Sequence, residues 1–167
     1  MVKNENGTVV ATLAVVVHPD GERILMGRKL RGFGKGKITG YGGKQEPGET
    51  LVQTIRREFH EESSFLLPEE AFAHVGKIDF EFPYHPDWWF ECHIFRIDDF
   101  DQTPPISDEL NPRWVRLDNL PSSEMWADNA FWLKLAAQGE RFKARFTYAA
   151  DNEHLKSYHL MLNGATP

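Results

Sequence analysis

The chain has a single cysteine, Cys92, in 167 residues. No internal disulfide can form, and the paired-cysteine spacing of a zinc finger is absent. Long apolar runs are also missing: nothing approaches about 18 consecutive apolar residues, and the opening MVKNENGT lacks the apolar stretch of a signal peptide. A cytoplasmic protein with no membrane partner is expected, and the Asn6-Gly7-Thr8 sequon then has no consequence. The seven histidines show no HxxxH or HExxH pairing, which argues against histidine-rich zinc coordination. Positive charge is in deficit, with Lys+Arg 19 against Asp+Glu 25 and a net charge of -6, so broad binding to duplex nucleic acid is not expected. What remains is ordinary. Hydrophobic residues are 41% and charged residues 26%, which excludes disorder, collagen-like repeats and coiled coil. A chain of this length buries roughly 70% of its unfolded surface. With no linker or repeat to divide it, one domain is expected over residues 1–167, with its ordered core at about residues 8–163.

The charge is unevenly placed. Arg23, Arg28, Lys29, Arg31, Lys35, Lys37 and Lys44 follow one another with no acid between, and Glu46, Glu49, Glu58, Glu61 and Glu62 come next against Arg56 and Arg57. A basic arm beside a carboxylate cluster suggests phosphate together with a divalent metal.

Thr8 to Val17 is a β-branched run ended by His18-Pro19-Asp20-Gly21, a strand and a turn into a second strand from Arg23 to Met26. A glycine-rich loop follows, with Gly32, Gly34, Gly36, Gly40, Gly42 and Gly43. Leu51 to Ser63 has no glycine or proline and predicts a helix, and Asp128 to Ala137 predicts a second. Val75 to Phe82 alternates, Val75, Lys77, Asp79 and Glu81 on one face and Gly76, Ile78, Phe80 and Phe82 on the other; Trp89 to Ile97 does so more loosely. Further strands are expected over Arg113 to Leu117, Phe142 to Tyr148 and Leu155 to Leu162. The pattern predicts an α/β fold with helices covering a mixed central β-sheet.

The first helix holds its acids in an unusual place. On a wheel at about 100° per residue with Glu58 at zero, the apolar stripe of Leu51, Ile55, Phe59 and Val52 runs from about 20° to about 120°. Glu62, at about 40°, falls inside that stripe, and Glu58 lies on its edge. Glu58, Glu61 and Glu62 at i, i+3 and i+4 repel one another, more so when partly buried. A hard divalent ion such as Mg²⁺ would relieve this and keep positions open for water and phosphate.

From Gly43 to Phe65 the chain resembles the Nudix box, G-x5-E-x7-R-E-U-x-E-E-x-G-U with U apolar: Gly43, Glu49, Arg57-Glu58-Phe59, Glu61-Glu62 and Phe65 match, and Ser64 stands where the last glycine belongs. Ser64 is then expected in a left-handed backbone, at a cost on the order of 1 kcal/mol. The resemblance implies a Nudix-type α/β/α sandwich and hydrolysis of a nucleoside diphosphate linked to another group, with Mg²⁺, or Mn²⁺ as an alternative. It implies that Glu58 and Glu62 are the main metal ligands and that Glu61 is a ligand or the base activating water. Arg57 would orient a carboxylate through a pair with Glu49, and a carbonyl at Gly42 or Gly43 would complete the coordination. A small-molecule nucleoside triphosphate is the implied partner, taken by a monomer.

Beyond the box, Arg31-Gly32-Phe33-Gly34, Gly40-Tyr41-Gly42-Gly43-Lys44, Phe80-Glu81-Phe82, Ser107-Asp108-Glu109 and Met125-Trp126-Ala127-Asp128 with Trp132 are similar to the Nudix subfamily of oxidised-purine nucleoside triphosphatases, which act on substrates such as 8-oxo-dGTP in nucleotide-pool sanitation. This resemblance implies that Thr12, Lys29, Phe33, Phe80, Phe82, Trp126, Asp128 and Trp132 line the base and sugar pocket. Lys44 would bind substrate there too, and Glu109 would join the metal from a loop. The residue types suit a purine, since aromatic walls stack on its faces while Asp128 or Asn129 reads its edge. Two positions depart from the subfamily: Thr39 replaces an asparagine and Asn129 the second of two aspartates. A buried polar mismatch is worth about 1–3 kcal/mol, enough to reorder substrates. The same box also serves hydrolases of ADP-ribose, dinucleoside polyphosphates and RNA 5′ ends, and non-catalytic nucleotide-sensing modules.

Overall fold

In the first strand, β1 (Val9–Val17), successive side chains enter different cores. Val15 and Val17 pack into one buried cluster and Ala14 and Val16 into the other, as the period of two along a strand requires. The computed structural model describes residues 1–163; the last four residues of the expected domain lie outside the described residues.

Eight further strands are β2 (Arg23–Lys29), β3 (Ile38–Thr39), β4 (Tyr41–Lys44), β5 (Ala73–Glu81), β6 (Phe90–Ile97), β7 (Leu110–Arg116), β8 (Phe142–Tyr148) and β9 (Leu155–Leu162). They form one mixed sheet in the order β3-β2-β1-β6-β5-β8-β9, with β4 beside β1 and β7 beside β2. The β1–β6 and β5–β8 pairs are parallel and the others antiparallel. Helix α1 (Leu51–Ser63) buries Ile55 and Phe59 against Ala14, Val16 and Phe95 on one face. Helix α2 (Asn129–Ala137) buries Trp132, Leu133, Ala136 and Ala137 with Val15, Val17, Ile78 and Ile94 on the other. This is the expected α/β/α arrangement. Among the described residues no helix is long and apolar enough to cross a membrane.

Local chemistry sets the ends of α1. Thr50 caps it with a reciprocal box: its hydroxyl accepts from the Gln53 N–H at 3.2 Å, and the Gln53 side chain accepts from the Thr50 N–H at 2.9 Å. At the other end Ser64 adopts φ 68°, the left-handed backbone expected of it, and donates its N–H to the His60 carbonyl. Phe59 is fully buried, which stabilises the packing by about 1.5–3 kcal/mol.

Three sequence expectations are corrected. The glycine-rich loop contains β3 and β4, and β4 pairs with β1 through Thr12↔Gly43 and Leu13↔Gly42. The strict alternation from Val75 fails at a bulge between His74 and Gly76: Val75 and Ile78 share one core while Lys77 pairs with His93 across the strand. The strand expected from Arg113 begins at Leu110 and includes Pro112, which is tolerated because β7 bonds to β2 alone.

Candidate active site

Strand β4 and helix α1 touch through glycine. A Cβ on Gly43 would fall on the Glu58 carboxylate, and one on Gly42 would collide with the Thr12 backbone. Both positions therefore admit only hydrogen, and the helix carboxylates lie directly against the sheet. Glu62, 5% exposed, accepts the Gly42 N–H at 3.0 Å. Burial pushes its carboxyl up to about 8, against the opposing pull of that N–H and of Lys29. Burial also raises Glu58, which accepts from Arg57 Nη1 at 2.8 Å. Glu61 stays more exposed, with Arg57 Nη1 at 3.5 Å. Arg57 stands behind the acids, gripping Glu49 as expected, with Nε at 2.5 Å and Nη2 at 3.0 Å from its two oxygens.

Glu109 arrives from the chain just before β7 and accepts from Lys29 at 2.9 Å and Arg31 at 2.6 Å. Burial would raise its pKa, but these two cations outweigh it and hold Glu109 below the usual range. Glu58, Glu61, Glu62 and Glu109 line one cleft of about 460 Å³ together with Gly42, Gly43, Lys29, Arg31, Ser107 and Asp108.

Among the described residues no three His, Cys, Asp or Glu side chains converge into a ready metal cage. Arg57, Lys29 and Arg31 engage the carboxylates instead. The donor set still fits a hard divalent ion. Five carboxylates line the cleft, and burial raises the pKa of two of them, Glu58 and Glu62, against the pull of Arg57 and Lys29. Gly43 leaves the Glu58 oxygens uncovered, although its own carbonyl accepts the Thr12 hydroxyl at 3.2 Å.

A second cleft of about 210 Å³ adjoins the first, and the two share Lys29, Gly42 and Gly43. Thr12, Phe33, Thr39, Lys44, Phe80, Phe82, Trp126, Asp128, Asn129 and Trp132 all line it with Lys29, so every residue expected in a base pocket is brought together there. Phe33 stacks on Trp126 at 5.1 Å and 13°, and Lys37 stands over the Trp126 ring at 4.5 Å. Phe82 stacks on Tyr148 at 4.6 Å. Asp128 is buried at the floor, where its two oxygens accept from Trp132 Nε1, at 2.7 Å, and from the Tyr148 hydroxyl. Burial raises its pKa despite both bonds. Asn129 donates to the Trp126 carbonyl at 3.0 Å.

Sequence reasoning missed Tyr148 and Phe90 in the apolar cleft and Arg31 and Asp108 in the acidic one. Tyr148 reads as an ordinary alternating core residue, and only the fold brings its hydroxyl to Asp128. Arg31 carried a signal, its place in the basic arm.

The NUDIX domain profile matches residues 7–135. An oxidized purine nucleoside triphosphate hydrolase of Danio rerio is 43% identical over 137 residues, 82% of this chain and 85% of that protein. The Mus musculus protein of the same name is 38% identical over 149 residues, 89% and 92% of the two chains. The fold is similar to the crystal structure of a MutT protein from Bacillus halodurans, with TM-score 0.74 and 22% identity over 91% of this chain and 97% of that one. With the helix carboxylates seated against a glycine strand and a family profile spanning most of its length, the chain belongs to the Nudix hydrolases.

Proposed function

We propose that this chain converts oxidised purine (deoxy)nucleoside triphosphates, of which 8-oxo-dGTP is the type, to the monophosphate and pyrophosphate, in nucleotide-pool sanitation. The observation that carries the reading is the junction of the two clefts at Lys29, Gly42 and Gly43. A nucleotide with its base among the aromatics would lay its phosphates along the acids. The activity named for the fish and mouse relatives supports the same substrate class.

Glu58 and Glu62 would hold a divalent ion, Mg²⁺ or Mn²⁺ by their all-oxygen chemistry, with Glu109 as a further donor and Glu61 left free to act as the base. When bound, such an ion offsets polyphosphate charge and acidifies water. Lys29 and Arg31 bind phosphate oxygens, which compete with Glu109 for the same cations. Glu61, the most exposed of the helix acids, takes the proton as water oxygen bonds to phosphorus, and the anhydride P–O bond breaks to release pyrophosphate. Arg57, pinned by Glu49, keeps Glu58 oriented. Phe33, Phe80, Phe82 and Trp126 face the base, Thr39, Asp128 and Asn129 its polar edge, and Thr12 and Lys44 the sugar side. Trp132 holds Asp128 from below. The reading carries with it one domain over residues 1–167, a monomeric cytoplasmic protein and no duplex nucleic acid partner.

Side-by-side hydrolysis of 8-oxo-dGTP, 2-oxo-dATP, dGTP, ADP-ribose and a 5′-triphosphate RNA tests this. A large preference in kcat/KM for the oxidised purines is expected; comparable values for dGTP and 8-oxo-dGTP would overturn the sanitation role.

A further inference from the structure

The bulge in β5 has a chemical result on the sheet face opposite the one that receives Cys92 and Ile94. It shifts the register so that His74 pairs with Phe95 and Lys77 with His93, and it leaves His74 and His93 as diagonal neighbours. His74 Nε2 and His93 Nδ1 stand 3.0 Å apart. The other nitrogen of His93, Nε2, lies 2.9 Å from a Glu91 oxygen. Glu91 also accepts from Asn4 at 2.6 Å and has the Lys77 ammonium at 3.4 Å. Burial disfavours the Glu91 carboxylate, but Asn4, His93 and Lys77 outweigh it and keep the group ionised near neutral pH.

An ionised carboxylate can only accept. In the neutral His93 ring the proton therefore lies on Nε2, and the lone pair on Nδ1 faces His74. This is the carboxylate–histidine arrangement that orients imidazole ligands in metal sites. His74 is held below its ordinary pKa by burial, with His93 and Arg141 adding to the effect, so its imidazole is neutral at pH 7. Moving its proton from Nε2 to Nδ1 frees the second lone pair without loss of a proton to solvent.

We propose that His74 Nε2 and His93 Nδ1 chelate one divalent transition-metal ion, with Glu91 fixing the His93 tautomer from behind. Two nitrogens 3.0 Å apart, each at about 2.05 Å from a metal, subtend about 95°, which requires each ring to turn its lone pair off the N···N line of the hydrogen bond toward the ion. That angle suits the tetragonal preferences of Ni²⁺ and Cu²⁺ better than the tetrahedral angle of Zn²⁺. Water completes the shell on the exposed side of His74. With two protein ligands the site is no three-residue cage, which agrees with the absence of such a cage among the described residues. It shares no residue with either cleft.

Calorimetric titration of the full chain with NiCl2 in saturating Mg²⁺ tests this, with the visible absorption of added Cu²⁺ as a second readout. Wild type is expected to bind one Ni²⁺ that His74→Gln does not bind, while the glutamine amide still donates to His93. Glu91→Gln should weaken that Ni²⁺ by about ten- to a hundredfold. Mg²⁺-dependent hydrolysis should be unchanged in His74→Gln. Equal Ni²⁺ stoichiometry and affinity in wild type and His74→Gln would overturn the proposal, as would the absence of any Ni²⁺ binding by wild type.

Discussion

Arg57 grips Glu49 with Nε and Nη2 while its third nitrogen, Nη1, reaches Glu58 at 2.8 Å. One planar guanidinium thus ties the loop before α1 to an acid of the candidate metal site, a geometry that lysine cannot reproduce. The Arg57 hydrogen bond is the largest influence holding the Glu49 carboxyl down, to about 2 from an ordinary 4.5.

A depressed folded-state pKa contributes stability above the unfolded value, and that contribution is lost as pH falls from about 4.5 to about 2. Glu49→Gln should lower stability by about 1 kcal/mol at pH 7, after allowance for solvent screening of this partly exposed pair. Urea melts at several pH values check the sign: the gap between wild type and variant should close in acid. Arg57→Lys should lower kcat more than it raises KM, because Glu58 loses its fixed partner.

Removing a buried acid should separate folding from catalysis. Glu62→Gln keeps an acceptor for the Gly42 N–H and removes a carboxyl whose charge is disfavoured by burial. In EDTA its Tm should equal or exceed that of wild type. In Mg²⁺ the wild type should gain Tm that the variant does not, and kcat of the variant should fall by at least about a hundredfold. Thermal melts and pyrophosphate release measure both; unimpaired turnover would refute the assignment of Glu62.

Asp128 is satisfied by two buried donors. Asp128→Ala leaves the Trp132 N–H and the Tyr148 hydroxyl without their acceptor and should cost about 2–4 kcal/mol. Asn129→Asp is milder and bears on selectivity. It should change the ratio of kcat/KM for 8-oxo-dGTP and 2-oxo-dATP by about ten- to a hundredfold.

Ser64 holds a left-handed backbone at the end of α1. Ser64→Gly should raise stability by about 0.5–1 kcal/mol, since the strain relieved outweighs the added freedom of the unfolded chain. Activity should not change, because Ser64 lines neither cleft. Chemical denaturation measures the gain.

The helix and its acids were legible because local rules govern them. Leu51 to Ser63 holds no glycine or proline, a period of 3.6 puts Glu62 among Ile55 and Phe59, and the spacing of Glu58, Glu61 and Glu62 follows from one turn of backbone. Strands β3 and β4 were hidden inside a glycine-rich loop, since glycine has no strand propensity and the pairing with Thr12 is a long-range event. Tyr148 beneath Asp128 was hidden for the same reason, as were the stacking of Phe33 on Trp126 and the bulge that turns His74 toward His93. The sequence by itself determined the family, the helix carboxylates and the two classes of side chain a nucleotide would meet. Only the tertiary structure decided that acids and aromatics meet at Lys29, Gly42 and Gly43, because no local period brings residues so far apart in the chain to one junction.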